Sequence, residues 1–350
     1  RTILHRHLFD ETTQFEKPVY WIIDDDIDLN AISTSEKSFK LFDLINEHIN
    51  KTDAIIGRIS NDPPIPALSC IRTQLVDFLH SYGNDINSDF HDIHKKPDYY
   101  YDLSDLHSDH LETPILKAGI NESHLHHIFS GKAVFRPALQ RELKSEHKTI
   151  TRRGANTIVL NRDILRLYPV INLEVNDKFA RRGDLTWALF NQVVSNKKII
   201  EHTFCINHNR PLSKFNIDRE LDKSAYDIIG YAFNKAIFQV IENIKKSENP
   251  DVFAELLTER NFKELQQIYI FYLQRRKIRF LMNYYRIVGL TKIIYEKFGF
   301  GLEYYEQFKD ETKISLFENI MVNAVLDKHL KKFLKELKLI VEETKNLTSK

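Results

Sequence analysis

Cysteine is scarce in this chain. Cys70 and Cys205 are its two cysteines, with no CxxC pair and no metal-type spacing. This argues against a disulfide framework and fits a reducing, cytoplasmic setting. Net charge is almost absent too, with 50 Lys plus Arg against 49 Asp plus Glu, so neither bulk nucleic-acid binding nor an acidic solvating tail is expected. Long apolar runs are missing. The nearest approach to a membrane span, residues 268–285, is interrupted by Arg275, Arg276, Lys277 and Arg279, and no transmembrane segment is expected. Residues 1–10 lack the apolar centre of a signal peptide. There is no internal repeat and no low-complexity tract.

What is present is enough apolar material for a sizeable core. With 350 residues, 42% of them hydrophobic, the prior is one large domain with a second beside it. The chain is organised around residues 18–30, PVYWIIDDDIDLN. Val19, Tyr20, Trp21, Ile22 and Ile23 form the short continuous run of a strand covered on both faces, as in a parallel sheet. Asp24, Asp25 and Asp26 follow at once. Adjacent carboxylates at a strand end repel one another and lose hydration. A divalent cation with oxygen ligands offsets that cost, and Mg²⁺ or Mn²⁺ would in turn hold nucleotide phosphates. The plainer alternative is an acidic loop with Asp28 and Asn30 as turn residues.

The remaining pattern alternates strands and helices up to about residue 217. Residues 1–10 have helical spacing, 35–50 an amphipathic helix, 53–60 a strand, and 69–81 a helix. Pro63, Pro64 and Pro66 make a rigid loop between the last two. Residues 82–112 form a polar stretch too long for a bland connection and are read as an acceptor-side lid. Its His91, His94, His107 and His110 invite zinc, but no cysteine supports four convergent ligands. His124, His126 and His127 are read as surface and capping residues, with Asn121 or Ser123 starting a helix. In TRRGANTIVL, Gly154 lets backbone approach a ligand and Asn156 can donate to and accept from sugar hydroxyls, although a hairpin turn would also use these residues. Asp184 follows Arg181, Arg182 and Gly183 and opens an apolar helix, either as a functional carboxylate or as a cap. His208 ends an alternating strand over 199–208, with His202 as its competitor. From 218 onward the periodicity is helical, over 225–244, 251–257, 262–298 and 314–341. The basic block at 275–279 is a solvated face or a site for a phosphate-bearing or membrane-surface partner.

The strand followed by Asp24, Asp25 and Asp26 resembles the DxD motif of A-type, family-2-like glycosyltransferases. The ordered recurrence of RGAN, RRGD before a helix, and a late histidine extends the resemblance over roughly residues 1–217. It implies an α/β, Rossmann-like, mostly parallel sheet with flanking helices over 1–217, and the helical periodicity beyond makes 218–350 an all-α domain, expected to mediate oligomerisation or partner docking. It also implies a start inside the donor domain, since about two dozen residues are too few for the earlier βα units. On this resemblance Asp24, Asp26 and His208 hold Mn²⁺ or Mg²⁺. Asp24, Asp25, Arg153, Gly154, Asn156, Arg182 and Arg1 contact the nucleotide-sugar donor, with Arg6 as an alternative to Arg1. Asp184 is the general base toward an unknown acceptor hydroxyl, with inversion following. The family commonly has an acidic pair at that place, and here Gly183 precedes Asp184. A nucleotidyltransferase is the nearest alternative, and a catalytically silent interaction protein a third.

Overall fold

The computed structural model describes residues 18–23, 27–28, 35–62, 65–82, 121–135, 147–149, 157–165, 172–247 and 251–348. Among them the main sheet has six strands. They are β1 (Val19–Ile23), β2 (Ile27–Asp28), β3 (Ala54–Asn61), β4 (His147–Thr149), β5 (Thr157–Asn161) and, after the β6–β7 hairpin described below, β8 (Ile199–His208). Their order is β1-β5-β3-β8-β2, with β4 also on β8.

Two helices cover this sheet, and the period-2 alternation of its strands sorts their residues between them. α1 (Ser35–Ile49) lays Leu44, Ile45 and Ile49 against Ile55, Val159 and Ile200, with Trp21 packed beside them. α5 (Gly183–Val194) lays Trp187 and Ala188 against Tyr20, Ala54, Ile56, Ile158, Leu160 and Ile199 on the other face. β1 is therefore covered on both faces, as its apolar run implies.

The expectation of a mostly parallel sheet needs correction. Among the described strands β3 pairs with β8 in parallel, whereas β1·β5, β3·β5, β2·β8 and β4·β8 are all antiparallel. The sheet is mixed and β1 ends the strand order. An apolar run reports two-sided cover and carries no information on the direction of the neighbouring strand, which is set by the connections.

The helical region begins before the sheet is complete. α2 (Leu68–Tyr82), α3 (Glu122–Phe129) and the one-turn α4 (Arg162–Leu165) precede it, and the hairpin of β6 (Glu174–Val175) and β7 (Lys178–Phe179) turns on Asn176 and Asp177 at φ 52° and 59°. Then come α6 (Ile217–Ile244), α7 (Val252–Leu256), α8 (Glu259–Phe298), α9 (Leu302–Lys309), α10 (Glu311–Ala324) and α11 (Asp327–Thr348). The periodicity over 314–341 breaks at Val325 and Leu326, where Asp327 begins a new helix, and α9 is an addition to the expected set. α8 stops where Gly299 takes φ 77°. Leu68, Ile71, Leu75, Phe78, Leu125 and Phe129 share one continuous core with α6, α8 and α11 as far as Val341. Asn283 of α8 donates to the carbonyl of Leu68 at 3.1 Å, and Glu220 of α6 accepts the N–H of Ala67 at 3.2 Å. That places a carboxylate at the positive end of α2.

One close approach in this packing involves a glycine. A Cβ on Gly230, in α6, would collide with the carbonyl oxygen of Arg181, whose own N–H donates to the carbonyl of Tyr226 at 3.1 Å. Gly289, in α8, faces open space. The same substitution should therefore have opposite signs. Gly289→Ala is expected to stabilise by about 0.5–1 kcal/mol through helix propensity, and Gly230→Ala to destabilise by about 1–3 kcal/mol through overpacking. Urea unfolding of both variants measures the difference.

Candidate functional site

β1, β3 and β8 run in the same direction, because β5 is antiparallel to β1 and to β3, and β3 is parallel to β8. In open α/β sheets ligands bind beyond the carboxyl ends of such strands. Ile23, the last residue of β1, pairs with Thr157, the first of β5. Ile27, the first residue of β2, pairs with His208, which pairs on its other side with Asn61. Four peptide steps separate Ile23 from Ile27, a reach of at most about 14 Å. Chain continuity therefore holds Ile23 within about 14 Å of Ile27, the residue that pairs with His208. Asp24, Asp25, Asp26, Arg153, Gly154, Asn156 and Arg1 lie outside the described residues. Their described neighbours Ile23, Ile27 and Thr157 all belong to this end of the sheet.

His208 is buried, 1% exposed. Its Nδ1 lies 2.7 Å from the carbonyl oxygen of Asp62, and the Asp62 N–H donates back to the His208 carbonyl at 3.0 Å. With Nδ1 as the donor to that carbonyl, the neutral ring carries its lone pair on Nε2. His202 sits six positions earlier, against the ring of His48 at 5.2 Å and paired through its backbone with His147. It is mid-strand, so His208 is the histidine at the strand end.

Asp62 does more than orient His208. Its Oδ1 accepts the N–H of Ala133 at 2.8 Å, and its Oδ2 accepts the N–H of Arg210 at 2.8 Å with Lys132 Nζ 3.6 Å away. Gln74 grips the same turn, donating to the Lys132 carbonyl at 2.8 Å and accepting from the Val134 N–H at 2.7 Å. The Arg210 guanidinium donates to the Ile65 carbonyl, and a Cβ on Gly131, at φ 84°, would run into that guanidinium. The ends of β3 and β8, the 130–135 turn and the segment after His208 are thus one hydrogen-bonded platform. The sequence marked a rigid loop at Asp62 but gave no sign of these partners, which are 58 to 148 positions apart.

Asp184 stands in the first turn of α5. The N-cap is Arg182, with φ 71° and no side-chain cap bond, so the cap assignment for Asp184 gives way to a first-turn carboxylate facing the positive helix end. Gln192 donates to the Ile199 carbonyl at 3.3 Å, so α5 runs back along β8 and its amino end points toward the strand's carboxyl half. The loop before it is locked. Arg182 binds Asp227 of α6 through two hydrogen bonds of 3.1 and 2.9 Å, and its guanidinium lies 5.3 Å from the Tyr231 ring, which Arg276 of α8 approaches at 3.9 Å. A Cβ on Gly183 would strike the Asn172 side chain. Arg182, expected at the donor, is engaged within the protein. Asp227 was legible as an acid inside the apolar run of α6.

Other candidates fall away. His124 takes part in the cap of α3, accepting the Asn121 N–H at 3.1 Å, and Tyr304 approaches His126 at 3.4 Å, in keeping with their reading as capping and surface residues. Cys70 is a free, buried thiol whose pKa burial pushes up to about 11, which makes it a poor nucleophile. His91, His94, His107, His110 and Arg6 lie outside the described residues. Among the described residues no three His, Cys, Asp or Glu side chains form a metal-holding group; the aspartate triplet lies outside them. Two carboxylates with an imidazole whose Nδ1 is held by a carbonyl is a donor set that suits Mn²⁺ better than Mg²⁺, which favours oxygen ligands. Among the described residues no helix is long and apolar enough to cross a membrane.

The Arg182–Asp227 pair yields a test of what Arg182 does. Its side chains are 17% and 5% exposed. Either Arg182→Ala or Asp227→Ala alone should cost about 3 kcal/mol by stranding its partner. The double variant should cost much less than the sum, a coupling that a double-mutant cycle on urea unfolding resolves. Additive losses would free Arg182 for a role outside the protein. No family model, curated protein or solved structure matches this chain.

Proposed function

We propose that the chain is a metal-assisted transferase that moves a sugar from a nucleotide-sugar donor to an acceptor hydroxyl, on a framework similar to that of A-type glycosyltransferases. One observation carries the reading: the triplet Asp24, Asp25 and Asp26 joins the carboxyl end of β1 to a two-residue strand whose first residue pairs with His208. Asp24, Asp26 and His208 are the residues that would hold Mg²⁺ or Mn²⁺. When bound, the ion supplies charge neutralisation to a departing diphosphate. The Asp62 carbonyl keeps the His208 ring in one tautomer and orientation. Asp25, Arg153, Gly154, Asn156 and Arg1 contact the donor. Arg182 acts through the loop that it pins to α6. Asp184 takes the proton of the attacking hydroxyl.

The direct experiment is a thermal-shift screen of nucleotide-sugars with and without Mn²⁺. A ligand that binds the native state at a hundredfold excess over Kd stabilises by about 2.7 kcal/mol. A matching donor raises Tm in Mn²⁺, and failure of every nucleotide-sugar to do so in either condition removes the proposal. Product analysis then separates sugar transfer, which releases a nucleoside diphosphate, from nucleotidyl transfer, which releases pyrophosphate.

Two variants probe the roles. Asp26→Ala should abolish the Mn²⁺-dependent shift while the apo Tm holds or rises, because carboxylate repulsion is relieved. An undiminished Mn²⁺ response would take Asp26 out of the metal site. Asp184→Asn should lower turnover by about 10²–10⁴ with donor affinity unchanged. As a mere first-turn carboxylate it would cost only about 0.3–1 kcal/mol of stability and leave turnover near normal. Steady-state kinetics and melting of the same sample decide between the two.

A further inference from the structure

α8 has two unlike sides. Leu265, Tyr269, Leu273, Phe280, Ile287 and Ile294 are buried in the helical core. The outward side carries Phe271, Ile278, Met282, Tyr285 and Ile293, between 46% and 58% exposed. Their separations of seven, four, three and eight residues keep them on one stripe of a 3.6-residue helix. At 1.5 Å per residue the stripe is roughly 33 Å long. Five large apolar side chains in one line are not the single scattered residues of an ordinary surface.

The charge on this helix is one-sided. From position 265 to 295 there is no Asp or Glu, while Arg275, Arg276, Lys277, Arg279, Arg286 and Lys292 fall in the interval. Arg276 turns inward to Tyr231 and Lys277 reaches Glu318 at 3.5 Å. Arg275, Arg279 and Arg286 alternate with the apolar stripe, while Lys292 pairs with Glu296 at 3.6 Å. Against a second copy of this helix the arginines at its centre would meet like charges, since the acids in line with the stripe, Glu264 and Glu296, stand only at its two ends. The cavity of about 520 Å³ lined by Asp218, Arg219 and Phe317 includes no residue of α8. An apolar line set among arginines, with its acids confined to the two ends and no required register, is what an anionic lipid interface accepts.

We infer that the outward face of α8 is a docking surface for an anionic membrane, with the helix lying in the plane of the interface. Apolar side chains enter the boundary between headgroups and acyl chains, and the arginines stay at the level of the lipid phosphates. This docking is independent of the transfer chemistry proposed above.

Flotation of the full chain with lipid vesicles tests it. Binding is expected to phosphatidylcholine vesicles containing about one third phosphatidylglycerol, and not to phosphatidylcholine alone. Raising salt from about 0.1 M to 1 M should release the protein. Arg275→Glu with Arg279→Glu should weaken binding by at least about 25-fold, near fivefold per charge. Ile278→Glu with Tyr285→Glu should weaken it about tenfold or more. Lys51→Glu, an exposed change remote from α8, should leave binding intact. The replaced side chains are largely solvent-facing, so Tm should be close to wild type. Should the apolar variant unfold, the arginine variant and the salt dependence still decide. No binding to anionic vesicles, or equal binding by the Arg275→Glu/Arg279→Glu variant, overturns the inference. So does a concentration-dependent dimer that the apolar variant disrupts in protein lacking vesicle affinity.

Discussion

Parallel pairing of β3 with β8 sends both carboxyl ends out of the sheet on the same side, and the site depends on that shared direction. Antiparallel pairing would put Asp62 and His208 at opposite ends of the ladder. Once they are neighbours, the Asp62 N–H donates to the His208 carbonyl and the His208 ring meets the Asp62 carbonyl, and the Asp62 carboxylate is left to accept the N–H groups of Ala133 and Arg210. A buried carboxylate is tolerable only when its oxygens are so occupied. The same bonds bring three chain segments to one strand end.

The second constraint works from the helical side. The Arg181–Asp184 segment is pressed on α6 closely enough that a side chain at Gly230 would not fit, and Asp227 and Tyr231 of that helix receive the Arg182 guanidinium. Arg182 takes a left-handed backbone conformation that only glycine adopts without cost. Surrounding contacts must over-determine it. The first turn of α5 is consequently positioned by the sheet through Trp187 and Ala188, and by the helical region through Arg182.

Much of the framework was readable from residue order. The apolar faces of α1 and α2, the strands over 54–61 and 157–161, and the alternation ending at His208 all follow from periods of 3.6 and 2. The glycine stop of α8 and the cap at Asn121 have local sequence signatures. The β6–β7 hairpin escaped notice because each strand is only two residues long, too short to alternate, although Asn176 and Asp177 are residues suited to a left-handed turn. The break at Val325 and Leu326 was invisible because apolar spacing continues across it into α11.

By itself, the sequence determined which stretches become strands or helices and where an acidic triplet meets an apolar strand. These are local properties, written in propensity and periodicity. The tertiary structure decided strand direction, the contact of the His208 ring with the Asp62 carbonyl, and the diversion of Arg182 to Asp227. It also decided which stripe of α8 faces outward. Each of these depends on groups tens to hundreds of positions apart being brought together. Chain connections and close packing settle that, and a pattern of residue types along one segment does not record it.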